Sequence, residues 1–269
     1  MKHFFENNVS SDKTMPVVLI TGGAKRLGAQ LCHSFAQAGW RIACHYNQST
    51  HVAQALANTL NQAGGDCTVF AADLANTAEV KQLFNTVLAT LGRIDCIINN
   101  ASIFERDEGI DFTPEQFLHH QTVNLLTPLL LGQALAAQQA AIKTTKKNTA
   151  CIVHILDQKV DNLNPDYFSY TVSKLGLRDC VKLQAQALAP YVRVLGVSPG
   201  LIYVSGPQSE ENFKQAASVN LLKTPTDPAN VAKAVLDLVT NPAINGAIIQ
   251  VDSGQHLVPL GRDIMFLVN

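Results

Sequence analysis

The sequence predicts an α/β fold: a doubly wound parallel sheet of about seven strands, with helices on both faces. Two observations predict it. Short β-rich apolar runs alternate with helical segments from one end of the chain to the other. No repeat, low-complexity tract or linker interrupts that alternation, so residues 16–269 read as one domain. With 269 residues, 47% hydrophobic and 15% charged, the chain can bury one large core.

Strand one is Val17 to Thr21, and a helix from about Gly28 to Ala38 follows it, stopped by Gly39. Strand two is Arg41 to His45; the next helix runs from about Thr50 to Ala63 and ends at Gly64-Gly65. Strand three, Cys67 to Ala71, leads into Asp73. Asn76 with Glu79 three residues on resembles a capping box for a helix ending near Leu91-Gly92. Strand four is Cys96 to Asn100. Thr113, Pro114 and Gln116 mark a helix start as cap, first-turn proline and third-position amide. Strand five is Cys151 to Leu156, and the helix after it extends to about Ala189. Strand six, Val192 to Val197, closes at Pro199-Gly200; Asp227-Pro228 starts a further helix, and Ile248 to Val251 is the last strand.

Bulk properties exclude several function classes. A formal net charge of −1 gives no electrostatic case for nucleic acid or an acidic membrane surface. The apolar runs are strand-length, far short of a membrane span. Residues 1–15 are polar and lack the apolar core of a signal peptide, which reads as a loose N-terminal arm with Met15 an alternative start. The six cysteines are scattered without a C-x-x-C pair, mostly inside apolar stretches. The eight histidines form no metal-spaced cluster with them, and the adjacent pair His119-His120 has no obvious third ligand. The expectation is a cytoplasmic, reduced, metal-free protein.

The segment Thr21-Gly22-Gly23-Ala24-Lys25-Arg26-Leu27-Gly28 joins the first strand to the first helix. Small residues there let backbone N–H groups approach a pyrophosphate at a helix N-terminus. Arg26 stands where this loop type often carries glycine. It faces either the phosphates and whatever lies over a nicotinamide, or solvent. The choice of dinucleotide turns on the end of strand two, where an NAD site wants an acidic residue. This chain has His45-Tyr46-Asn47-Gln48-Ser49 instead. Asn47, Gln48 and Ser49 can donate to a 2′-phosphate with Lys25 in reach to neutralise it, so NADP(H) is favoured. Asp73 is placed either to hold the adenine edge or to cap the strand end.

Tyr170 and Lys174 are four residues apart and share one helix face. Lys174 places a positive charge near the phenol, which is expected to lower its pKa, and the same ammonium can bind a ribose. Thirteen residues before Tyr170 stands Asp157. Asn124 is a polar residue in an otherwise apolar helix; it either bends that helix and holds a water relaying protons to Lys174, or is a satisfied core amide.

These residues carry a family resemblance. With Asn99-Asn100-Ala101, Pro199-Gly200 and the terminal Val251-Asp252-Ser253-Gly254, the chain resembles the short-chain dehydrogenases/reductases over residues 16–255. The resemblance implies a Rossmann fold, hydride transfer, and a homotetramer or homodimer. It also implies an NADP(H) site built from Gly22, Lys25, Arg26, Leu27, residues 45–49, Asp73, Leu74, Asn100, Ala101, Ser102, Tyr170, Lys174, Pro199 and Gly200. The apolar stretch Leu257 to Val268 suggests a subunit contact.

Within that family the glycine segment, Asp157 in place of serine, His45-Tyr46, and Phe104 shortly after Asn-Asn-Ala look like the pteridine reductases. Reducing a dihydropterin C=N bond sends hydride to carbon and a proton to ring nitrogen. A carboxyl group beside a tyrosine can pass on that proton, whereas a serine can only hydrogen-bond. The two acids are expected to titrate as a coupled pair, with Asp157 raising the Tyr170 pKa against Lys174. A pterin is expected to stack between a nicotinamide and Phe104, with Arg26 and Ser102 along its polar edge. Gln48 stands where many pteridine reductases carry Arg, and Ile202 replaces a polar residue often seen after Pro-Gly-Leu. Residues 203–225 read as a substrate-side flap. Two other readings remain: a carbonyl or oxoacyl reductase, which a carboxylate beside a developing oxyanion disfavours, and a non-catalytic NADP(H)-binding regulator, which the intact Asn124, Tyr170 and Lys174 disfavour.

Overall fold

Every residue of the first strand, β1 (Val17–Ile20), is buried, as a strand with neighbours on both edges and helices on both faces must be. Alternate side chains enter two separate cores. Val17 and Leu19 join Val80, Phe84, Leu131, Leu135, Leu177 and Val181 on one face. Val18 and Ile20 join Leu31, Phe35, Leu60, Val231 and Val235 on the other. The structure, a computed structural model, describes residues 15–142, 150–205 and 208–268. All but Met15 of the expected N-terminal arm lies outside the described residues.

The remaining strands are β2 (Arg41–Tyr46), β3 (Asp66–Ala71), β4 (Cys96–Asn99), β5 (Ala150–Ile155), β6 (Val192–Pro199) and β7 (Ile248–Val251). They form one seven-stranded sheet in the order β3-β2-β1-β4-β5-β6-β7, with every pairing parallel. The helices are α1 (Arg26–Gln37), α2 (Thr50–Gln62), α3 (Thr77–Leu91), α4 (Pro114–Gln121), α5 (Thr127–Ala141), α6 (Phe168–Ala187), α7 (Glu210–Ala216) and α8 (Pro228–Thr240). Among the described residues none is long and apolar enough to cross a membrane.

The caps explain most helix boundaries. Asn76 accepts from the Ala78 N–H at 3.1 Å, but Glu79 reaches past the expected partner to the Asp73 N–H at 2.8 Å. Thr113 and Asp227 cap α4 and α8. Helix α1 starts at Arg26, two residues earlier than expected, so Gly28 lies inside its first turn. There a Cβ would meet the Gly22 carbonyl oxygen at 2.0 Å, which only glycine avoids. The apolar stretch expected to be one helix around Asn124 is continuous, but α4 passes into α5 through a π-helical turn, Thr122–Leu126. The flap contains a helix, α7, that periodicity did not mark.

Two buried histidines brace the sheet in the neutral form. His154 is fully buried, with Nδ1 facing the Asn99 amide at 3.1 Å and Nε2 facing Gln184 Oε1 at 2.9 Å. Burial pushes its pKa down to about 4. Because the folded value lies below the ordinary 6.5, its contribution to stability is complete above that pH and is lost as pH falls towards about 4. His154→Gln removes the titration. The parent is therefore expected to lose about 3 kcal/mol relative to that variant between pH 7 and pH 4, measured by urea unfolding. At the α1 turn, Gly28→Ala should abolish dinucleotide binding or soluble expression; a variant with parental NADPH affinity and melting temperature would refute the close-packing argument.

Candidate active site

The strand order reverses between β1 and β4, so the loops leaving their carboxyl ends part and open a crevice. A cleft of about 560 Å³ lies there, walled by the loops after β1, β4, β5 and β6 and by the C-terminal segment.

The first two loops are laced together by Thr21. Its Oγ accepts from the Asn100 and Ala101 N–H groups, both at 3.0 Å. Asn100 Nδ2 in turn donates to the Thr21 and Gly22 carbonyls at 2.9 and 3.1 Å. Gly22 takes φ +60°. Arg26 also has positive φ, +54°, at the place where glycine is common. Its guanidinium neither faces solvent alone nor points only at the crevice. It donates to the Val204 carbonyl and lies 5.2 Å from the centre of the Tyr203 ring, tying the turn to the flap.

His45 is a correction. Expected against a dinucleotide, it is 1% exposed and uses both nitrogens on the scaffold: Nδ1 accepts from the Gly22 N–H at 3.0 Å and Nε2 faces the Ala72 carbonyl at 3.0 Å. Burial lowers its pKa, which preserves the neutral tautomer this pairing needs. Asn47 and Gln48 are exposed and Tyr46 and Ser49 half-buried beyond the cleft's end. Asp73 uses Oδ1 to cap the Ala75 N–H at 2.9 Å, the strand-end role left open above. Leu74 is buried, and its carbonyl accepts from Thr127 at 2.7 Å.

At the centre of the cleft Tyr170 Oη donates to Asp157 Oδ2 at 2.6 Å. Asp157 Oδ1 accepts from the Lys159 N–H at 2.8 Å, so the carboxyl group is held at both oxygens. Part of Asp157 faces the cleft, but protein encloses the rest, and burial is the main cause of its raised pKa; the Tyr170 hydrogen bond and the Lys159 N–H oppose it. Tyr170 is pushed well above the ordinary phenol value by burial first and by Asp157 second. The expectation that Lys174 lowers the phenol pKa is therefore overturned. Lys174 Nζ lies 5.8 Å from the Tyr170 ring centre and donates to the Ile155 carbonyl at 2.8 Å. Its own pKa falls to about 8 through burial, with Asp157 pulling the other way. The two acids thus hold their protons more tightly than in water, while the ammonium releases its proton more readily.

Asn124 is buried and fully engaged. Oδ1 accepts from Ile103 N at 2.9 Å and Ser102 Oγ at 3.2 Å, while Nδ2 donates to the Ile103 carbonyl and Ser173 Oγ, both at 3.0 Å. It fastens the β4 loop to α6; its side chain is satisfied without a direct bond to Lys174, and the helix departs from α geometry around it in a π-helical turn. Ser102 and Phe104 line the cleft. Phe104 is stacked on Tyr167 at 4.0 Å between ring centres and stands perpendicular to Tyr170 at 4.7 Å.

Sequence reading missed the far wall: Lys159, Asn164, Gln208, Asp263 and Met265. Lys159 was the legible one, an ionisable residue two positions past Asp157. Among the described residues no group of three or more His, Cys, Asp or Glu could hold a metal ion.

Comparison with known proteins agrees with this geometry. The family model described as enoyl-(acyl carrier protein) reductase, a branch of the short-chain dehydrogenases, matches residues 22–256. A dihydromonapterin reductase of Shigella flexneri serotype 5b (strain 8401) is 27% identical over 91% of this chain and 99% of its own. The FolM alternative dihydrofolate reductase 1 of Brucella canis, solved in complex with NADP, is 33% identical with a TM-score of 0.85, covering 91% of this chain and 95% of that one. The corresponding Brucella suis protein, also with NADP, is 34% identical with a TM-score of 0.84, covering 90% and 95%. The chain belongs to the short-chain dehydrogenase/reductase family.

Proposed function

We propose that the chain is an NADPH-dependent pteridine reductase, reducing a dihydropterin to the tetrahydro form. The observation that carries the reading is the 2.6 Å hydrogen bond between Tyr170 and Asp157 inside the cleft. The names of the similar proteins, dihydromonapterin reductase and alternative dihydrofolate reductase, support it.

The residues present fit a dinucleotide. Helix α1 has no capping side chain, unlike α3, α4, α7 and α8, and no acidic residue in its first turn, so its N-terminal N–H groups remain for a phosphate. Gly22, Leu27, Asn100, Ala101, Pro199 and Gly200 would flank it, Lys25 with Asn47, Gln48 and Ser49 would meet the 2′-phosphate, and Lys174 the ribose near the nicotinamide. When bound, NADPH supplies the hydride.

The chain's own residues handle the proton. Tyr170, kept protonated by its raised pKa, donates to the pterin ring nitrogen as the neighbouring carbon takes hydride. Asp157 restores that proton through the hydrogen bond they share. Lys174 holds positive charge beside the phenolate formed in passing. Phe104, backed by Tyr167, gives the pterin a flat face, with Arg26 and Ser102 at its polar edge. Leu257 and Leu267 are more than half exposed, which supports assembly into a homodimer or homotetramer; light scattering of the cytoplasmic protein tests this.

The direct test follows NADPH absorbance with 7,8-dihydromonapterin, 7,8-dihydrobiopterin, dihydrofolate and an acetoacetyl thioester in turn. Consumption with the thioester alone would replace the reading by a carbonyl reductase. Tyr170→Phe is expected to lower pterin kcat about 100-fold or more while NADPH affinity survives. Asp157→Ser should lower kcat with little effect on cofactor binding. In the parent, kcat should rise as pH falls through a pKa above the ordinary carboxylate value of 3.8, and this limb should vanish in Asp157→Ser. Equal pterin rates for variant and parent would refute the role of the carboxyl group.

A further inference from the structure

Beyond the proton-handling pair, the cleft contains a second charged pair. Lys159 sits in the helical turn Gln158–Val160, its side chain 3% exposed. A buried ammonium has three N–H groups to satisfy. Among the described residues two acceptors receive them: Asn164 Oδ1, and Asp263 Oδ2 at 3.3 Å. One donor is left for whatever occupies the cleft, which both Lys159 and Asp263 line.

Asp263 is held in place from several sides. Arg262 forks onto Asp166, with Nε at 2.9 Å from both carboxylate oxygens and Nη2 at 2.6 Å from Oδ1. The Asp263 N–H also donates to Asp166, at 2.6 Å. Just beyond, Tyr167 Oη meets Met265 Sδ at 3.0 Å, and Asn212 of α7 donates to the Met265 and Val268 carbonyls at 3.1 and 2.7 Å. This anchoring fixes a carboxylate next to an ammonium, two residues in sequence from Asp157.

An ammonium donor beside a carboxylate acceptor suits a hydroxyl, which accepts from one and donates to the other; adjacent hydroxyls can use both. In reduction of the ring C=N bond, the carbon that receives hydride also carries the pterin side chain. Groups that read this side chain must therefore lie beside the group that handles the proton. We infer that Lys159 and Asp263 bind the hydroxylated side chain of the reduced pterin, selecting polyol-bearing pterins over those with a bare methyl group. This rests on the pteridine reductase reading above. Two of the three ammonium donors stay paired when no hydroxyl is present, so the selection is moderate, about 10- to 100-fold, rather than the much larger rejection shown by a site left wholly unpaired.

The test compares kcat and KM for 7,8-dihydromonapterin, which carries three hydroxyls, and 6-methyl-7,8-dihydropterin, which carries none. The parent should favour the polyol. Asp263→Asn and Lys159→Met should reduce that preference about 10-fold through KM, leaving kcat/KM for the methyl compound within about twofold. Asp263→Asn keeps shape and the contact to Met265 N–H, so it decides the matter if Lys159→Met does not fold. Lys159→Arg, which retains charge and donors, should recover part of the preference. An unchanged ratio in Asp263→Asn, or parallel losses with both pterins, would overturn the inference while the reductase reading stands. A parent that consumes NADPH with the thioester but with neither pterin would overturn both.

Discussion

Two acids are hydrogen-bonded 2.6 Å apart, and the rest of the site is arranged around them. Burial makes either anion costly, and a charge on one makes a charge on the other costlier still. Asp157 and Tyr170 therefore both hold protons more strongly than they would in water. Lys174, tied to the Ile155 carbonyl, limits that cost without abolishing it, and its own pKa of about 8 records how little water is available to it. A serine in place of Asp157 would leave the phenol a hydrogen-bond partner but no second proton store. Choosing a carboxyl group ties the site to a reaction that consumes protons at a basic ring atom.

The sheet makes that arrangement possible by holding four loops at one edge. Thr21 fastens the β1 and β4 loops to each other, and Asn124 fastens the β4 loop to α6, which carries Tyr170 and Lys174. The π-helical turn at Thr122–Leu126 is what aims Asn124 at both partners. Arg26 shows a local cost accepted for a distant contact. A left-handed arginine is disfavoured by about 1–2 kcal/mol, and its guanidinium offsets this by holding Val204 and Tyr203 of the flap.

Much of this was legible from residue order. Buried strands read as apolar runs, because a parallel sheet covered on both faces leaves no polar alternation to confuse the period. Tyr170 and Lys174 were legible because helix spacing puts them on one face, and Asp157 because it stands where the resembled family carries serine. His45 misled because its neighbourhood in sequence belongs to the dinucleotide end, while its burial is decided by Gly22 and Ala72, which no local pattern reveals. In sequence terms Asp157 raises the Tyr170 pKa against Lys174 lowering it; burial decides the net direction, and that is a property of the assembled cleft. Asp263 was invisible because 106 residues separate it from Asp157, and only folding brings the C-terminal segment over the pocket.

That segment also links the wall of the cleft to its chemistry. Phe104, Tyr167 and Phe266 form a stack that runs from the reacting centre to the C-terminal segment. Tyr167, at φ +55°, is held in its left-handed conformation at the middle of the stack. Asn212 joins α7 to the same segment, so the flap, the C-terminal wall and the turn bearing Lys159 are mechanically connected. Water entering a loosened wall would solvate Asp157 and remove the burial that raises its pKa, leaving it ionised and unable to resupply Tyr170. The packing of this wall therefore helps to keep water from Asp157 and sustains its raised pKa.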